Sequence, residues 1–104
     1  MIKFPTLKWV KSSLRNNLVK PFRPKIIKAY IVGSFARGDF NDGSDLDIAI
    51  IIAQRRGMSS LQISESYHSN FTSDIFKAKW NGRIVDFQFF YENELEDYIK
   101  IELF

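Results

Sequence analysis

Cysteine is absent from the 104-residue chain, which excludes disulfides and cysteine-bound zinc and says little about compartment. Histidine is limited to His68, around which the sequence shows no metal-ligand pattern or Asp/Ser constellation. It reads as a surface or boundary side chain. No apolar run approaches the roughly 20 residues of a membrane span, and Met1-Ile2-Lys3-Phe4-Pro5 lacks the layout of a signal peptide. A cytoplasmic protein without a membrane partner is the expectation. Repeats, low-complexity tracts and domain linkers are also missing. Residues 1–104 therefore read as one domain, large enough for a single core and too small for a separate substrate domain.

Acid is missing from the first third. All eight charged residues through Lys28 are basic, and the first acidic residue is Asp39. The far end reverses this, with Glu92, Glu94, Glu96, Asp97 and Glu102 against Lys100. A solvated basic face and a solvated acidic face are the simplest account. A basic surface that meets nucleotide, RNA or an acidic partner is the alternative. No RNA-binding motif is present, so nucleic acid is not the expected partner.

The apolar pattern that remains is informative. Leu7, Val10, Leu14 and Leu18 recur at spacings of three and four, which predicts a helix over about Thr6 to Lys20 with Thr6 as N-cap. Pro21 and Pro24 end it and form a connector. Ile26–Val32 reads as a strand, Phe35–Phe40 as a turn or short helix, and Ser44–Ala53 as a second, central strand buried on both sides. A weakly amphipathic helix follows over about Ser59–Asn70. Asp74–Trp80 and Arg83–Tyr91, joined by Asn81-Gly82, make a hairpin. In the second of these runs Val85, Phe87 and Phe89 face one way, and Ile84, Asp86, Gln88 and Phe90 the other. Glu92–Phe104 reads as a closing helix with Leu95, Tyr98, Ile99 and Leu103 on one stripe. The fold class is α/β (α+β), a small mixed β-sheet with helices packed against it.

Chemistry concentrates between the first two strands, in Gly33-Ser34-Phe35-Ala36-Arg37-Gly38 and, after a loop, Ser44-Asp45-Leu46-Asp47. Asp45 and Asp47 alternate with Leu46 and Ile48, so both carboxylates face one side of the strand, roughly 6.6 Å apart along it. Their side chains can converge. Two anions about 5 Å apart repel by about 3 kcal/mol at an effective dielectric of 20, a cost that a divalent cation between them removes. The Gly33-Ser34 turn offers backbone N–H groups, a hydroxyl and no side chain at Gly33, which suits phosphate oxygens. A phosphate cradle beside a metal-binding carboxylate pair is equipment for phosphoryl or nucleotidyl transfer.

This stretch resembles the signature of the nucleotidyltransferase superfamily that includes DNA polymerase β and kanamycin nucleotidyltransferase. It is most similar to the minimal nucleotidyltransferases, stand-alone catalytic domains of about this length. The resemblance implies a polymerase β-like palm fold, with Asp45, Asp47 and Asp86 as catalytic, metal-binding carboxylates. Asp86, in Val85-Asp86-Phe87, matches the family's third carboxylate; the alternative is a strand-edge Asp facing water. By the same likeness two Mg²⁺ ions are the cofactors, and Asp86 helps draw the proton off the attacking hydroxyl. Gly33, Ser34, Arg37 and Ser44 are the expected nucleotide-binding residues. Arg37 could equally pair with Asp39 or Asp42. Phe35 and Phe40 are base-stacking candidates beside the motif, and Lys77, Lys79 and Arg83 are candidates for the cleft wall.

The implied activity is transfer of NMP, AMP from ATP in the first instance, to an acceptor hydroxyl with release of pyrophosphate. Because the chain has no second domain, acceptor recognition is expected from a partner, from self-association or from a protein substrate. Minimal nucleotidyltransferases often stand as antitoxins beside a helical HEPN-type toxin whose tyrosine they adenylylate, and the C-terminal stripe is a candidate docking surface. The alternatives are a homodimeric small-molecule nucleotidyltransferase and a non-catalytic nucleotide- or partner-binding domain.

Overall fold

The computed structural model describes residues 3–17, 25–68 and 78–104. The end of the first predicted helix (18–20), the Pro21/Pro24 connector, the end of the second predicted helix (69–70) and the first half of the predicted Asp74–Trp80 strand (74–77, including Lys77) lie outside the described residues. Helix α1 spans Leu7–Asn17, and the Thr6 Oγ1 accepts the Trp9 N–H at 3.1 Å, as an N-cap should. Strand β1 is Ile26–Val32, the short helix α2 Gly33–Arg37 and strand β2 Leu46–Ile52. Helix α3 is Ser60–His68. It starts with a capping box, in which Ser59 Oγ accepts the Gln62 N–H and Gln62 Oε1 accepts the Ser59 N–H. Strands β3, Lys79–Trp80, and β4, Arg83–Phe90, complete a hairpin. Its turn residues Asn81 and Gly82 both have positive φ, as a two-residue primed turn requires.

The sheet order is β3-β4-β2-β1-β5, where β5 is Ile101–Glu102. The β1/β2 and β3/β4 pairs are antiparallel, while β2 and β4 run parallel. Central β2 is apolar on both faces because both are covered. On one face Leu46, Ile48, Ile50 and Ile52 join Val85, Phe87 and Phe89 under Val10 and Leu14 of α1 and Ile63 and Tyr67 of α3. On the other, Val32, Ala49 and Ile51 meet Leu95, with Tyr30 and Phe90 at the margin. Helix α3 also satisfies the β4 backbone directly, since Ser64 Oγ accepts the Phe89 N–H at 2.8 Å and contacts the Phe89 carbonyl at 3.3 Å.

The predicted closing helix over Glu92–Phe104 is not formed. A 3₁₀ turn, Glu92–Leu95, is held by the Tyr91 N–H donating to Glu94 Oε1. The chain then crosses the sheet and ends as β5, Ile101–Glu102, antiparallel to β1. The would-be stripe is divided. Leu95 packs on one face of the sheet and Leu103 on the other, while Tyr98 and Ile99 stay exposed. Ile99, Ile101 and Leu103 also alternate, and a short run fits either period. The backbone of β1 resolved the ambiguity: the Leu103 N–H donates to the Ala29 carbonyl at 2.9 Å, and Glu102 lies 3.7 Å from Lys28. No described helix is long and apolar enough to cross a membrane.

Candidate active site

Strand register places the acids. Asp47 of β2 and Asp86 of β4 are direct partners in the parallel ladder, so their side chains share a face and their Cα atoms are about 4.8 Å apart. Asp45, two residues before Asp47, lies on the same side and just outside β2. The face in question is the one that carries Val32, Ala49, Ile51 and Leu95, and the Asp97–Ile99 segment that follows Leu95 borders Asp47 there.

Asp47 is the most constrained of the three. Burial first, then the charges of Asp86 and Asp45, push its carboxyl above the ordinary carboxylate range, while Arg37 pulls it back in part. Its position depends on Gly33. That residue has φ +68°, and a Cβ added to it would run into the Asp47 carboxylate. The register of Val32 against Asp47 brings the turn this close. Gly33 therefore makes room for a carboxylate of the chain itself as well as leaving its backbone accessible.

The other expected residues divide between the site and its scaffold. Arg37 borders the same cavity as Gly33 and Asp47 while its Nε donates to Asp39 Oδ2 at 3.3 Å. The Ser34 carbonyl accepts the N–H groups of Gly38 and Asp39 and so closes the α2 turn. Ser44 Oγ accepts the Asn41 N–H at 2.9 Å, which gives its hydroxyl a place in the loop. Arg83 holds the same loop, donating to the carbonyls of Asn41 and Ser44 at 3.0 and 2.6 Å. Phe35 and Phe40 stack on each other, centroids 4.3 Å apart and planes 7° from parallel. Arg83 sits 4.8 Å over Phe35, so these rings and this arginine brace the motif.

His68 is the boundary side chain that the sequence implies, but it has an acidic neighbour that the sequence does not show. Its Nε2 lies 3.6 Å from Asp86 Oδ1, at the last residue of α3, so it does belong to an acidic constellation. Nothing in the local sequence signals this, because α3 and β4 meet only in the folded chain. Gln88, Asp97, Tyr98 and Ile99 were also missed as site residues. They line a cavity of about 390 Å³ together with Gly33, Arg37 and Asp47. Gln88 was legible by period, two residues from Asp86 on one face. The Asp97–Ile99 wall was hidden by the expectation of a helix.

Among the described residues no three His, Cys, Asp or Glu side chains close on a common point as a preformed metal cluster. The donor set nevertheless fits a hard divalent cation. It supplies carboxylate oxygens, and it gathers negative charge at half-buried Asp47, which a cation between Asp45, Asp47 and Asp86 would relieve.

Comparison with known proteins bears on the family and the fold. Residues 11–104 match the family model described as the nucleotidyltransferase domain. A crystal structure at 1.40 Å of a Sulfolobus solfataricus protein, provisionally assigned as a nucleotidyltransferase, superposes with a TM-score of 0.56 at 23% identity, covering 93% of this chain and 78% of that one. At that identity the likeness establishes the fold. No curated protein matches the sequence. The fold is thus that of the polymerase β-like nucleotidyltransferases, and the chain belongs to the nucleotidyltransferase domain family. Membership supports the general activity, NMP transfer from a nucleoside triphosphate.

Proposed function

We propose that the chain is a Mg²⁺-dependent nucleotidyltransferase that moves AMP from ATP to an acceptor hydroxyl and releases pyrophosphate. The observation that carries this is the register of Asp47 beside Asp86 on the face that Gly33 borders. Asp45, Asp47 and Asp86 would hold two Mg²⁺ ions, which when bound stabilise the attacking and leaving oxygens of an in-line displacement. The N–H groups and hydroxyl of the Gly33-Ser34 turn, together with the Arg37 guanidinium, receive the polyphosphate; Ser44 supports the loop from which Asp45 projects. Asp86 would take the proton of the acceptor hydroxyl, and His68 lies against that carboxylate from α3. The nucleophilic oxygen bonds to the α-phosphorus as the bond to pyrophosphate breaks, and the proton leaves toward Asp86.

By family resemblance the acceptor is the tyrosine of a HEPN-type helical partner, with this chain as cytoplasmic antitoxin. A homodimeric small-molecule enzyme and a non-catalytic binder are the rival readings. The test is transfer of label from α-labelled ATP to a co-purified helical protein, with mass spectrometry for an added AMP. Labelled partner in the wild type and none with Asp45→Asn/Asp47→Asn is the expected result. ATP–Mg²⁺ binding without any modified protein would favour the small-molecule reading, and no nucleotide binding at all would remove the proposal.

A further inference from the structure

We infer that Tyr98, with Ile99 beside it, is the platform on which the nucleobase rests. This builds on the proposed nucleotide site and assigns the half of it that the motif leaves unspecified. The lining of the cavity is of two kinds. Gly33 and Arg37 offer backbone N–H groups and a guanidinium, which favour polyphosphate, beside Asp47, which the proposed function assigns to Mg²⁺. Asp97, Tyr98 and Ile99 offer a carboxylate and two large apolar side chains. A polyphosphate beside the Asp97 carboxylate would meet like charge with no cation assigned to offset it, so the favoured orientation has the phosphates at Arg37 and the base at Tyr98.

Tyr98 suits that task. It is 48% exposed and Ile99 is 61% exposed, so two large apolar side chains face a cavity that has few others. The ring is not loose, because Phe90 backs it edge-on with centroids 5.7 Å apart. Its segment is tied to the buried residue Leu95, whose carbonyl accepts both the Tyr98 N–H at 3.1 Å and the Lys100 ammonium at 2.9 Å. The aromatic pair nearest the motif, Phe35 and Phe40, offers less, because those rings stack on each other and line a different cavity. A volume of about 390 Å³ lies within the range of small-molecule sites.

The test compares two probes by calorimetry in the presence of Mg²⁺: ATP, and inorganic tripolyphosphate, which has no base. In the wild type ATP should bind more tightly than tripolyphosphate. Tyr98→Ala should weaken ATP about tenfold, as loss of base–aromatic stacking does, and leave tripolyphosphate unchanged. Tyr98→Phe keeps the ring and should bind ATP like the wild type, which separates stacking from a role of the hydroxyl. Equal ATP affinity in Tyr98→Ala and wild type would overturn the inference, and so would a parallel loss for both probes, since that would report a collapsed wall. Wild type that binds tripolyphosphate and ATP equally would overturn it too, while leaving the phosphate site standing. Wild type that binds neither would overturn the nucleotide site and the platform with it.

Discussion

The Asp47 carboxylate occupies the space that a side chain on Gly33 would need. Gly33 also holds φ +68°, a conformation that costs an L-residue about 1–2 kcal/mol. Gly33→Ala should therefore lose stability by at least that amount and displace the carboxylate as well, abolishing ATP–Mg²⁺ binding. Chemical denaturation and calorimetry check the two effects. A variant of native stability that binds ATP normally would mean that the turn can move away from Asp47 at no cost.

Charge at Asp47 should make the metal-free protein sensitive to pH. A folded-state pKa above the unfolded one means that the folded chain holds this proton more tightly. That contribution is complete below the unfolded value and is lost as pH rises through the folded one. At neutral pH in chelator the ionised Asp47 costs stability, reduced by its partial exposure to solvent. Asp47→Asn should accordingly melt a few degrees above wild type at pH 7, with the gap narrowing as pH falls toward 4. Thermal melts across that range decide it, and a variant that melts lower at pH 7 would contradict the assigned repulsion.

Mg²⁺ should reverse the ranking. A cation that binds only the native state raises its melting temperature with concentration, so wild type should gain and Asp45→Asn/Asp47→Asn should not. Equal gains in both proteins would place the bound ion elsewhere.

Asp86→Asn should separate binding from turnover. Asp45 and Asp47 remain to hold metal–triphosphate, so nucleotide affinity should change little. The rate should fall by a factor of about 100 or more, the range of a positioned proton acceptor. Single-turnover transfer from α-labelled ATP is the measurement, and an unchanged rate would remove Asp86 from the mechanism.

Ser64→Ala supplies the control away from the site. It removes the acceptor of the buried Phe89 N–H, which should cost about 1–3 kcal/mol of stability with nucleotide affinity unchanged. Urea denaturation beside ATP calorimetry tests both halves.

Local sequence was sufficient wherever the signal was strongly periodic or tied to a particular turn. Thr6 caps α1, Asn81-Gly82 turns the hairpin, and Leu46, Ile48, Ile50 and Ile52 mark one face of a strand buried on both sides. The alternation around Asp45 and Asp47 placed them on one face, and the same period put Asp86 and Gln88 together on β4. These features follow from spacing along one segment and from backbone geometry that the residue types impose.

Tertiary structure decided what depends on neighbours distant in sequence. Whether 92–104 coils or extends is settled by the β1 edge, whose carbonyl at Ala29 takes the Leu103 N–H; the local apolar pattern fits both outcomes. The meeting of His68 with Asp86, the use of Ser44 and Arg83 to hold the loop, and the Tyr98 wall all depend on how separate elements pack. The sequence by itself determined the chemistry of the motif, its acids and its glycine turn, because these are written in adjacent residues. Only the fold decided which groups surround that motif, because strand register and edge pairing are set by the free energy of the whole sheet.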